Sequence, residues 1–182
     1  IVGILGGSGF ISGPLVLGAG GTVSPGNSPG NLSVGPTTFA GGATFAFDLN
    51  DAQGSPGTNW DLLSISGTLT ITATSASPFV INLVSLDSAN NPGLAQNFNP
   101  AQSYSWQFVT STGITGLTAP DVFDFSTSQF QNSLAGGTFG VSQVGNSLFL
   151  DFTPVPEPST WALLSLGAAA LAFGAWRRRR SA

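Results

Sequence analysis

Leu62-Leu63-Ser64-Ile65-Ser66-Gly67-Thr68-Leu69-Thr70-Ile71-Thr72 is the stretch that speaks most directly about the fold. From Leu63 onward apolar and small polar residues alternate, the period of a half-buried strand, and Gly67 predicts a bend or bulge within it. Upstream lie Leu15-Val16-Leu17, Val23, Leu32-Ser33-Val34 and Thr44-Phe45-Ala46-Phe47, separated by Gly, Pro, Asn and Ser. Such runs are too short for helices and read as strands joined by tight turns. Downstream, further strands are expected at 79–86, 104–110, 137–143 and 147–152. No stretch before residue 158 has an apolar face at helical spacing with capping signals. The body is therefore expected to be all-β.

Many short strands suit either a β-sandwich of hairpins or a parallel solenoid. Tight hairpins favour Asn-Gly or Asp-Gly turns between longer strands, and the chain contains neither dipeptide. It has Gly-Gly pairs and the corner Ser24-Pro25-Gly26-Asn27-Ser28-Pro29-Gly30 instead. The expectation is the terminal rungs and cap of a right-handed parallel β-helix over residues 1–153, with a β-sandwich as the alternative.

The 182 residues are 41% apolar, enough for one domain with a core plus a short appendage. Charged residues make up 7%, against roughly 25% in ordinary soluble domains, so the surface must be built from Ser, Thr, Asn, Gln and Gly. Such a surface suits the outside of a cell. All four basic residues are Arg177, Arg178, Arg179 and Arg180, so residues 1–176 carry −8 and the tail +4. A body without a cation cannot neutralise phosphates, which excludes nucleic-acid binding. Cysteine is absent, so there is no disulfide framework and no Cys-based metal or redox site. The first residue is Ile1, with no basic region ahead of an apolar run; no signal peptide is visible, and the body is expected to be N-terminally incomplete.

At Pro154 the composition changes. Pro154-Val155-Pro156-Glu157-Pro158-Ser159-Thr160 is a stiff, extended linker over 154–160, because proline fixes φ and disfavours helix at the residue before it. Residues 161–176, WALLSLGAAALAFGAW, carry no charge, and Ser159 or Thr160 can cap a helix there. At ~1.5 Å per residue this helix is about 24 Å long, short of the ~30 Å hydrocarbon core. Trp161 and Trp176 bracket it and four arginines follow in a basic tail over 177–182, the pattern of interfacial anchoring and snorkelling rather than of a core helix. One C-terminal transmembrane helix with the arginines in the cytoplasm is the expectation.

The ordered set of Val155-Pro156-Glu157-Pro158-Ser159-Thr160-Trp161, an apolar helix and Arg177 to Arg180 closely resembles the PEP-CTERM sorting signal of Gram-negative bacteria. The resemblance implies export, transient holding by inner-membrane lipids, and processing at Pro156, Glu157 and Pro158 by an exosortase, a membrane-embedded protease. It implies a cell-surface or extracellular-matrix destination and an association with exopolysaccharide and biofilm. A second resemblance covers residues 20–72. Gly21-Thr22-Val23-Ser24-Pro25-Gly26-Asn27-Ser28-Pro29-Gly30-Asn31-Leu32-Ser33-Val34 and Asn59-Trp60-Asp61-Leu62-Leu63-Ser64-Ile65-Ser66-Gly67-Thr68-Leu69 look like the autotransporter-associated β-strand repeats. That likeness implies a right-handed parallel β-helix of an adhesin-like protein.

Chemistry-bearing groups are few. Ile1-Val2-Gly3-Ile4-Leu5-Gly6-Gly7-Ser8-Gly9-Phe10-Ile11-Ser12-Gly13 invites a dinucleotide reading, but Ser12 stands at the third glycine position and Pro14 follows where a helix should start. No nucleotide is expected. The absence of His, Cys and Lys removes Ser-His-Asp triads, Cys-His pairs, His-ligated zinc and Schiff-base chemistry. Two carboxylates suffice for glycoside hydrolysis when about 5 to 9.5 Å apart, and the candidates are Asp48 with Asp61 or Asp121 with Asp124. Set against that, Asp favours turns on its own account. Asp48, Asn50 and Asp51 present oxygens at near-alternate spacing, as calcium loops do, although Ala52 breaks that pattern and no Glu closes it. Trp60, Tyr104 and Trp106 are candidates to stack on sugars, or to fill the core or end cap.

The sequence leads us to expect a non-catalytic, exported structural or adhesive protein without cofactor. The alternatives are the anchoring end of a larger secreted polysaccharide-acting enzyme, or a carbohydrate-binding module.

Overall fold

The computed structural model of the chain describes residues 1–155. The expected helix over 161–176, its flanking Trp161 and Trp176, the Pro156-Glu157-Pro158 linker and the four arginines lie outside the described residues. Among the described residues no helix is long and apolar enough to cross a membrane.

The chain visits three sheets in rotation. A first circuit comprises β1 (Gly3–Gly7), β2 (Gly9–Ile11) and β3 (Leu15–Leu17), and a second β4 (Gly21–Pro25), β5 (Asn31–Val34) and β6 (Thr37–Phe39). The third is β7 (Thr44–Leu49), β8 (Leu62–Ile65) and β9 (Thr68–Ile71), and the fourth β10 (Phe79–Ser85), β11 (Tyr104–Thr110) and β12 (Gly113–Thr115). A 3₁₀ turn (Pro120–Val122) then leads into β13 (Phe123–Gln129), β14 (Thr138–Val144) and β15 (Ser147–Thr153). The sheet orders are β1-β4-β7-β10-β13, β14-β15-β11-β8-β5-β2 and β12-β9-β6-β3.

All strand ladders between the four circuits are parallel, for example Leu32↔Leu63 and Thr38↔Thr70. Parallel neighbours cannot be joined by a hairpin and need a long return path, which here is the rest of each circuit. The hairpin sandwich is therefore not the arrangement. Antiparallel strand ladders are confined to β15, which lies between β11 and β14. The equivalent positions Gly3 and Gly21, Thr22 and Thr44, Thr44 and Val80, and Val80 and Asp124 lie 18, 22, 36 and 44 residues apart. The circuits lengthen along the chain because the β7–β8 and β10–β11 connections grow.

Period-2 alternation determines which side chains point inward. Val23, Phe45 and Ile81 stand in one sheet, Leu32, Leu63 and Val109 in the second, and Leu17, Phe39 and Ile71 in the third; all are at most 3% exposed. Stacking of circuits brings like side chains together: Phe39 and Phe79 stack with ring centroids 4.2 Å apart, and Phe45 meets Phe108 edge-on at 5.3 Å. Each such pair adds about 0.5–1.5 kcal/mol beyond its area burial.

The stretch 62–72 corrects one expectation. It is two strands in different sheets, β8 and β9, and Gly67 is the corner between them rather than a bulge. A Cβ on Gly67 would come 2.6 Å from Cγ of Pro36 in the circuit beside it, so the corner stacks only with glycine there. Three strands expected from sequence have shifted limits: 79–86 is Phe79–Ser85, 137–143 is Thr138–Val144 and 147–152 is Ser147–Thr153. The strands β1, β2, β6, β12 and β13 were not anticipated.

The corner between β4 and β5 is equally tight. Gly26 has φ +73°, and a Cβ there would stand 2.1 Å from Cα of Gly30. Gly26→Ala should therefore destabilise the protein by about 2–4 kcal/mol, combining left-handed backbone strain with overpacking against main chain. An unchanged midpoint in urea denaturation of the full chain would contradict this reading.

Candidate functional site

The proline-rich C-terminal segment starts at one particular end of the body. β15 finishes at Thr153, and Pro154 and an exposed Val155 follow; β2, at the other edge of that sheet, is the farthest strand from β14 and β15. An aromatic plug closes the end from which the tail departs. Phe152 of β15 meets Phe98 at 5.1 Å and Phe139 at 5.2 Å, and Tyr104 stacks on Trp106 at 5.1 Å with 8° between planes. The long β10–β11 connection supplies Phe98 to this plug. Its polar atoms are satisfied: Trp106 Nε1 donates to the Ala52 carbonyl at 3.0 Å, and Tyr104 Oη donates to the Asn97 carbonyl at 2.9 Å.

That plug decides the role of the aromatic candidates. Trp106 is 1% exposed and Trp60 7%, with Trp60 Nε1 donating to the Gln107 carbonyl, and Tyr104 is half-buried. None offers a free ring face for a sugar to stack on, because core and cap have taken them.

The structure brings Asp48 and Asp61 together, but inside the body. Asp61 accepts the N–H of Gly30 on Oδ1 at 2.7 Å and that of Asp48 on Oδ2 at 3.0 Å, and Ser28 bonds the Asp48 carboxylate. Burial, then the neighbouring Asp48 charge, pushes the Asp61 carboxyl up to about 8, while the two N–H bonds pull the other way. Burial also raises Asp48 above its ordinary value, and the Ser28 bond lowers it. Both carboxylates are withdrawn from solvent, unlike the solvent-facing placement that turn aspartates usually have. The other pair, Asp121 and Asp124, is exposed on the cap, where Asp124 accepts the N–H of Phe125 at 2.8 Å.

The three calcium candidates are not brought to a common point. Asp48 turns into the body, Asn50 accepts from Asn59 and donates to Asn90, and Asp51 accepts from the Gln53 N–H and from Asn97. The physical reason is the end of β7: beyond Leu49 the chain leaves the strand, so successive carbonyl and carboxyl oxygens diverge onto separate neighbours. Among the described residues no three His, Cys, Asp or Glu side chains cluster. Sequence reasoning did not find Ser28 and Gly30, the polar partners of the buried acids, since both read only as turn formers. On the exposed surface, Asp87 accepts the N–H groups of Asn91 and Ala89, which hold its carboxyl below the usual value.

An all-β body of parallel sheets that ends in a proline-rich exit is the class of molecule defined so far. Residues 154–180 match the PEP-CTERM protein-sorting motif. The motif implies processing by an exosortase, a membrane protein, and a membrane-anchored precursor that reaches the cell surface or extracellular space. No curated protein and no solved structure matches the chain. The likeness of residues 20–72 to autotransporter-associated repeats is accordingly not shown by any relative.

Proposed function

We propose that this chain is a non-catalytic structural or adhesive protein of the cell surface or extracellular matrix, associated with exopolysaccharide and biofilm. Its body is the terminal part of a right-handed parallel β-helix, and its tail is a temporary anchor that exosortase removes. The observation that carries this reading is the sorting motif at 154–180, placed directly after a β body. Three sheets visited in rotation, parallel registers and a plugged end all support the β-helix reading.

Mass spectrometry of secreted and membrane fractions from a host with an active exosortase tests the proposal. The mature protein should lack residues 161–182 and lie outside the inner membrane. An intact tail with Arg177 to Arg180 on the mature protein would make the segment a plain anchor instead.

A further inference from the structure

We propose that, of the buried neighbours Asp48 and Asp61, one stays protonated at neutral pH, so that the corner by which Asp61 joins the second circuit to the third is firm in acid and loose in alkali. The inference stands on the geometry of the corner and does not depend on the function proposed above. Asp61 immediately precedes β8 and is 0% exposed, Asp48 lies near the end of β7 at 5% exposure, and Gly30 immediately precedes β5. Asp61 bonds the backbone of both neighbours, and its own N–H donates to the Asp48 carbonyl at 3.1 Å. The next residue, Leu62, donates its N–H to the Gly30 carbonyl at 2.9 Å and starts the β5–β8 ladder. One buried carboxyl therefore ties three strand ends from two circuits.

The groups bearing on this pair are few. Asp48 from β7 is the charged neighbour of Asp61, and the β4–β5 corner contributes the Gly30 N–H and the uncharged Ser28 hydroxyl. No Lys, Arg or His occurs anywhere in residues 1–155, so no side-chain cation can compensate two carboxylates withdrawn from water. Such a pair loses its protons in two steps that belong to the pair, with the second pushed upward. The Asp61 value of about 8 is in line with this.

The sign follows from proton linkage. A carboxyl whose value rises on folding from 3.8 to about 8 gives stability that is complete below pH ~4 and fades as pH climbs through 8. Within that window the unfolding constant rises by up to about tenfold per pH unit for one proton. Asp87, with its lowered value at the surface, opposes this only in strong acid.

The full chain in detergent micelles, labelled with ¹³C at Asp Cγ, tests the proposal directly. One carboxyl should titrate well above pH 6 and the Tm should fall from pH 5 to 9. Asp48→Asn keeps an acceptor for Ser28 and removes one charge, so its Tm should vary less with pH and exceed that of the parent at pH 9. The proposal is overturned if every Asp titrates below pH 5, or if the parent's Tm does not fall over that range. It is equally overturned if millimolar calcium abolishes the pH dependence, for then the pair holds a metal ion rather than a proton.

Discussion

Trp106→Ala should cost about 3–5 kcal/mol of folding stability, a large share of the 5–15 kcal/mol that ordinary domains possess. The indole is 1% exposed and lies against Tyr104, Phe47 and Phe98 at centroid distances of 5.1, 6.3 and 6.4 Å. Truncation removes those contacts, leaves a cavity at the plug and strips the Ala52 carbonyl of its buried donor. Trp106→Phe keeps much of the ring packing and loses the donor, so its cost should be well below that of alanine. Denaturant midpoints of the full chain, with near-ultraviolet circular dichroism reporting the plug, separate the two variants. Equal midpoints for parent and alanine variant would mean that the plug does not close the stack.

The second large effect concerns the tail, where two substitutions should fail in opposite ways. Glu157→Gln, or replacement of Pro156 and Pro158, should leave insertion intact and block processing, so an uncleaved membrane precursor accumulates. Replacing Arg177, Arg178, Arg179 and Arg180 by Ser should weaken retention and orientation before processing, because cytoplasmic cations fix topology and each gains about 1 kcal/mol near anionic lipid. A run of 16 uncharged residues, fewer than the roughly 20 that a spanning helix needs, suits temporary holding. Fractionation followed by mass spectrometry reads both variants. Normal release of the Glu157 variant would remove the motif from any processing role.

Local information was enough for what repeats every second residue. Leu63, Ile65, Leu69 and Ile71 were legible as inward-facing, and all four are 4% exposed or less. Gly67 was legible as a break but not as a corner, since bulge and corner demand the same residue and only Pro36, 31 positions earlier, distinguishes them. β12 has three residues of which none is buried, so it carries no alternation that a sequence reader could detect. Charge segregation was plain because a body without cations needs no structure to be recognised. The buried acids were not, since Asp61 looks like any turn aspartate until Gly30 and Asp48 converge on it. The tail was legible from residue types in order, a signal that survives without tertiary contacts.

The placement of β15 has a mechanical consequence for a chain held by its end. Antiparallel ladders flank it on both sides, with β11 through Tyr104↔Phe152 to Thr110↔Ser147 and with β14 through Thr138↔Thr153 to Val144↔Ser147. Tension applied along the strand from Thr153 is shared by both ladders at once, so their hydrogen bonds resist as a group in shear instead of opening one after another like a zip. A hairpin edge strand such as β14 would peel under the same load. While the tether holds, drag on the body is thus borne by a strand seated in the interior of its sheet.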